Sequence, residues 1–168
     1  MDAISKELLQ EREQLLTILR SLTDEELNAK DNEHLWTVGQ VFWHLVLTEQ
    51  SVTKVIKIGL SHSIEIDEKA IPMEIVVNRS VRVDAPDDLF PPAREYSIEE
   101  LDGQLTASRD ELLKLLTQID DSQSIDHISP TFRHPFLGML SIRQWIIFIG
   151  KHELRHAAQI HELLHSHH

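Results

Sequence analysis

The stretch that decides the fold is SIRQWIIFIGKHELRHAAQIHELLH, residues 141–165. It opens with a helix start signal: Ser141 at the cap position, Gln144 three residues on, and Leu140 and Trp145 placed as a hydrophobic staple. Ile142, Trp145, Ile149, Ile160 and Leu163 then repeat at the helical period and mark one apolar face. Within it, the run Trp145-Ile146-Ile147-Phe148-Ile149 is the longest uninterrupted apolar stretch of the chain, far too short to cross a membrane. The same face carries His152 and His156. They are four residues apart, so their side chains lie one above the other on a helix.

Outward from this stretch, the same start signal recurs three times. Thr23 pairs with Glu26 and is flanked by Leu22 and Leu27. Thr37 pairs with Gln40 and is flanked by Trp36 and Val41. Ser97 pairs with Glu100 and is flanked by Tyr96 and Leu101. With the stripe Leu8, Leu9, Leu15, Leu16, Ile18 and Leu19, these predict long helices over about residues 3–22, 37–59, 97–120 and 141 to near the end, plus a short helix at Thr23. Residues 60–95 form a long connection punctuated by Pro72, Pro86, Pro91 and Pro92. There Pro72 is placed to open a short helix through Val77, while Val81, Val83 and the following DAPDD read as extended chain. Residues 121–140 form a second loop. Four long helices without a convincing sheet predict an all-α protein, a four-helix bundle with a long crossover between the second and third helices. Residues 1–168 are read as one domain.

Composition narrows the function. The chain has 168 residues, with 16 Lys and Arg against 28 Asp and Glu, a formal charge of −12. No basic face can be built for a nucleic acid or an anionic membrane surface, so neither is expected as a partner. There is no cysteine, which excludes disulfides, thiolate metal sites and a cysteine nucleophile. The polar N-terminus MDAISKELLQEREQ has no signal-peptide pattern, and a cytoplasmic location is expected.

The chain has 11 histidines. His152 and His156 both point inward. They could be a buried pair, each held by a hydrogen bond, but two imidazoles on one dry face leave several polar groups to satisfy, and a metal ion removes that penalty directly. A third ligand is expected from a facing helix. His44, in VFWHLVL at 41–47, lies on the inward flank of the second helix; alone it would read as a core histidine. Glu49 lies at the other edge of that stripe. His161 and His165 form a second i, i+4 pair, but on the solvent side, where with His167 and His168 they could take up metal only adventitiously. His134, before Pro135, reads as a turn residue. His34, His62 and His127 suggest no partner.

WTVGQVFWHL at 36–45, HPFLGMLSIRQW at 134–145 and HELRHAAQI at 152–160 resemble, in order and spacing, the DinB/YfiT-like family of metal-binding four-helix bundles. The resemblance covers essentially the whole chain. It implies one divalent metal ion held by His44, His152 and His156, the long crossover, and a homodimer. It also implies a small-molecule substrate: members include thiol-dependent S-transferases and a thiol-dependent isomerase, and others are described as metal-dependent hydrolases.

Three neutral imidazoles with a free fourth position define a catalytic rather than a structural metal, zinc by default, with nickel or iron also accepted. The fourth position can take water, for hydrolysis, or an external low-molecular-weight thiol, for transfer to an electrophile. Glu153 is the candidate catalytic residue: it either reaches a metal-bound water as general base or sits in a salt bridge on the helix flank. HELRH is also a literal HExxH, but the Met-turn protease class requires a glycine and a histidine where this chain has Gln159 and Glu162. Di-iron bundles need Glu-x-x-His on two helices, and both such pairs here fall on the last one. Arg155 reads as a surface charge or salt bridge, Gln159 as a hydrogen-bond partner near the ligands, and Trp43, Trp145 and Phe148 as core or cavity wall. The expected function is a thiol-dependent S-transferase acting on a small electrophile. The alternatives are a metal-dependent hydrolase and a non-catalytic, metal-stabilised binding or sensor bundle.

Overall fold

The computed structural model describes residues 2–30, 33–67, 69–119 and 123–166. Four long helices dominate: α1 (Asp2–Arg20), α3 (Val38–Ser61), α4 (Ile98–Leu116) and α5 (Ile142–Ser166), with a short α2 (Asp24–Asn28) between the first two. Thr23 and Thr37 form full capping boxes with Glu26 and Gln40, and Ser141 and Gln144 exchange the same two bonds. At Ser97 only half of the box forms. The hydroxyl accepts from the Glu100 amide, but the Glu100 carboxylate is drawn to Arg94. α4 ends at Leu116, short of the expected 120, a position outside the described residues, whereas α3 runs two residues past the expected 59.

The interior falls into two apolar clusters. One contains Leu8 of α1, Val52 and Ile56 of α3, Leu112 and Leu116 of α4, and Ile142 and Ile149 of α5. The other contains Leu15 and Leu19, Val41 and Leu45, Leu101 and Leu105, and Ile160 and Leu163 from the same four helices. Their order along each helix gives the topology. Passing from the first cluster to the second, the chain ascends in α1 and α5 and descends in α3 and α4. The middle pair is therefore parallel, and a tight turn cannot join parallel helices; this is why the crossover between α3 and α4 is long.

That crossover differs locally from the expectation of extended chain. Met73–Val76 is a 3-10 turn opened by Pro72, and Asp87–Leu89 is another opened by Pro86, so the second half of DAPDD is turned rather than extended. Two short strand pairs also form. β1 (Ser63–Glu65) runs antiparallel to β2 (Ile128–Pro130), with Ile64 opposite Ser129. β3 (Arg133–His134) and β4 (Gly138–Met139) make a small hairpin, which Gly138 allows by taking φ 77°. No described helix is long and apolar enough to cross a membrane.

Candidate metal centre

α3 and α5 pack against each other and bring together the three predicted ligands, His44 from one and His152 and His156 from the other. One ligand nitrogen from each lies within 4.8 Å of the other two. The Nε2 atom of His152 is 3.3 Å from that of His44 and 3.1 Å from that of His156. Around a tetrahedral ion with bonds of about 2.0–2.1 Å, neighbouring nitrogens stand about 3.3–3.4 Å apart, so the spacing is that of a ligand set.

The far nitrogens support the same reading. His44 Nδ1 donates to the Leu89 carbonyl at 2.8 Å, and His156 Nδ1 donates to Gln159 Oε1 at 2.7 Å. Each bond places the proton on Nδ1 and leaves a lone pair on Nε2, the usual way a protein sets the tautomer of a metal-binding histidine. Burial also holds the rings neutral. It lowers His44 below the ordinary histidine range, its bond to Leu89 acting in the opposite direction. Burial first, then the neighbouring His156 and His44, put His152 well below that range. Burial and then His44 bring His156 down to about 3. The bare Nε2 atoms of His44 and His156 and the Nε2 of His152 converge on one point, so the residues present fit a divalent ion.

Aromatic side chains enclose the centre. The Trp36 ring lies 5.0 Å from His44 and 5.3 Å from Phe90, and the Phe148 ring lies 5.3 Å from His152. Of the two expectations for Arg155, a salt bridge or a surface charge, no salt bridge forms among the described residues. Its guanidinium instead donates to the carbonyls of Val76, Asn78 and Val81, tying the crossover onto α5 beside His156. His161 and His165 are exposed, as their helical phase requires, while His167 and His168 lie outside the described residues.

Glu153 is placed differently from a general base. Its side chain turns into the bundle, 3 % exposed, where Oε2 accepts from Arg12 Nη2 at 2.7 Å and from Arg109 Nη2 at 2.6 Å. Glu49 completes a ring of four charges, accepting from Arg12 at 2.6 Å, Arg109 at 2.6 Å and the Ser108 hydroxyl at 2.7 Å. Arg12 and Arg109 also donate to the Leu105 and Leu8 carbonyls. Two arginines and two glutamates leave no net charge, and the group forms the layer between the two apolar clusters. A cavity of about 10 Å³ is lined both by Arg12, Glu49 and Glu153 of this group and by His152. The sequence did hold a signal for this group: Arg12 falls between Leu8 and Leu15, and Arg109 between Leu105 and Leu112, at inward spacing on their helices.

A parallel-paired four-helix bundle with three converging histidines defines the class. Residues 7–160 match the DinB superfamily, and the chain belongs to that superfamily. It is similar to the uncharacterized protein YuaE of Bacillus subtilis (strain 168), with 31% identity over 147 residues, 86% of this chain and 87% of that protein. Its fold is similar to that of TT2238, a four-helix bundle protein known from a crystal structure. The TM-score there is 0.62 at 24% identity, covering 96% of this chain and 98% of the other.

Proposed function

We propose that the chain is a metal-dependent enzyme that transfers a low-molecular-weight thiol to a small electrophilic substrate. The observation that carries this reading is the three-histidine set itself. Its Nε2 atoms converge, and among the described residues no carboxylate or further histidine joins the group. Such a donor set is that of a catalytic zinc, with nickel or iron as other occupants. A divalent ion held there supplies a position at which a thiol is deprotonated at neutral pH. His44 and His156 keep the ligand set rigid through Leu89 and Gln159, and Phe148 and Trp36 limit the access of water.

The placement of Glu153 favours thiol transfer over hydrolysis. Hydrolysis calls for a base able to take a proton from water. The carboxylate nearest in sequence is engaged by two arginines, whereas a metal-bound thiol needs no such base.

The test is to assay metal-loaded protein with a panel of small electrophiles, with and without thiols such as cysteine or glutathione, and to look for thioether products by mass spectrometry. The expected result is turnover that requires both metal and thiol. Metal-dependent turnover that ignores thiol establishes the hydrolase instead, and a lack of turnover across the panel favours a non-catalytic bundle.

A further inference from the structure

His134 is the last residue of β3, paired with Gly138 at the mouth of the hairpin turn. Its Nδ1 accepts from the backbone N–H groups of Phe136 at 3.2 Å and Leu137 at 3.1 Å. Two donors on Nδ1 leave that atom no proton, so the neutral ring carries it on Nε2. The Nε2–H has no hydrogen-bond partner among the described residues, although the ring is half-buried.

The ring's position gives this donor a direction of use. It packs 4.7 Å from Phe148 and 5.5 Å from Trp145, and Phe148 in turn packs against His152. A single aromatic ring thus separates His134 from the metal centre. Beyond His134 the hairpin presents Phe132 and Phe136, 55% and 61% exposed. The hairpin side is the side on which Phe148 packs between His134 and His152.

We propose that His134 is a substrate-orienting donor, and that the thiol cosubstrate carries a carboxylate which accepts from His134 Nε2–H while its sulfur lies at the three-histidine centre. The inference rests on the thiol-transfer reading above and specifies its substrate class. The donor is uncharged at neutral pH, since burial lowers His134 to about 4. It therefore orients the carboxylate by a hydrogen bond rather than by its own charge.

The experiment uses full-length protein loaded with cobalt and titrated with 3-mercaptopropionate and with 1-propanethiol, following the thiolate-to-cobalt absorption band. Wild type is expected to prefer the carboxylate-bearing thiol by about tenfold, the size of one hydrogen bond to a charged group. In His134→Asn the side-chain oxygen can still accept from the Phe136 and Leu137 amides, but the distal donor is gone, and the preference should fall to near parity. His134→Gln places an amide N–H near the Nε2 position and should restore part of it. Equal preference in all three proteins overturns the inference while leaving thiol binding intact. Loss of cobalt from both variants also overturns it, by assigning His134 to the scaffold. If neither thiol produces the band in wild type, the thiol-transfer reading fails and this inference fails with it.

Discussion

The charged layer of Arg12, Glu49, Arg109 and Glu153 takes one residue from each long helix, and the centre of His44, His152 and His156 shares two of those helices, α3 and α5. One closes on itself and the other does not. In the charged layer every carboxylate oxygen meets a guanidinium or a hydroxyl, and the charges cancel. In the histidine centre two rings spend their far nitrogens on fixed partners, and all three turn Nε2 toward one point. A buried polar group complete within the protein is a structural element. One completed only by something added is a binding site.

Stability should separate the two most strongly. Removing one member of the charged layer leaves its partners buried and uncompensated, which costs about 3–5 kcal/mol. Glu153→Gln and Arg109→Leu are expected to lose that much in urea unfolding of the metal-free protein. His152→Ala is expected to lose no more than about 1 kcal/mol under the same conditions. The reverse order would break the comparison.

Metal should act on one group and not on the other. An ion that binds only the folded state at one hundred times its dissociation constant adds about 2.7 kcal/mol. That increment should persist in Arg109→Leu, if this variant folds at the working temperature, and vanish in His152→Ala. Its survival in His152→Ala would place the ion elsewhere.

Acid gives a smaller, graded effect. His156 titrates near 3 in the folded chain, against an ordinary value of 6.5. Between these values the unfolded chain binds more protons, so the stability present above pH 6.5 is lost progressively as pH falls toward 3. The lowered His44 and His152 act in the same direction. Metal-free protein followed by urea unfolding from pH 7 to pH 5, above the carboxylate range, should show this slope. In His156→Ala the slope should be shallower; an unchanged slope would assign it to other groups.

The helices were legible because their start signals are local. Thr23, Thr37 and Ser141 each find their partner three residues away, and only at Ser97 does an arginine just before the cap, Arg94, compete for the second half of the box. The ligands were legible because His152 and His156 share a helix face and His44 lies on the inward flank of another. The pairing of β1 with β2 was not, since it joins an exposed three-residue segment to a largely buried one more than sixty residues away, and neither has an alternating pattern. The role of Glu153 was not legible either. Its phase on α5 leaves it beside the ligands, and only the arrival of Arg12 from α1 and Arg109 from α4 decides which way its carboxylate turns. His134 reads correctly as a turn residue, but its second nitrogen gains meaning only once α5 brings Phe148 and His152 beneath it.

Elemental analysis of purified, dialysed protein tests the central claim most directly. About one divalent ion per chain is expected in wild type and in a variant truncated before His165. His44→Ala, which keeps the adjacent HxxxH pair but removes the ligand from α3, is expected to lose it. Metal that leaves with the tail and remains in His44→Ala would contradict the account.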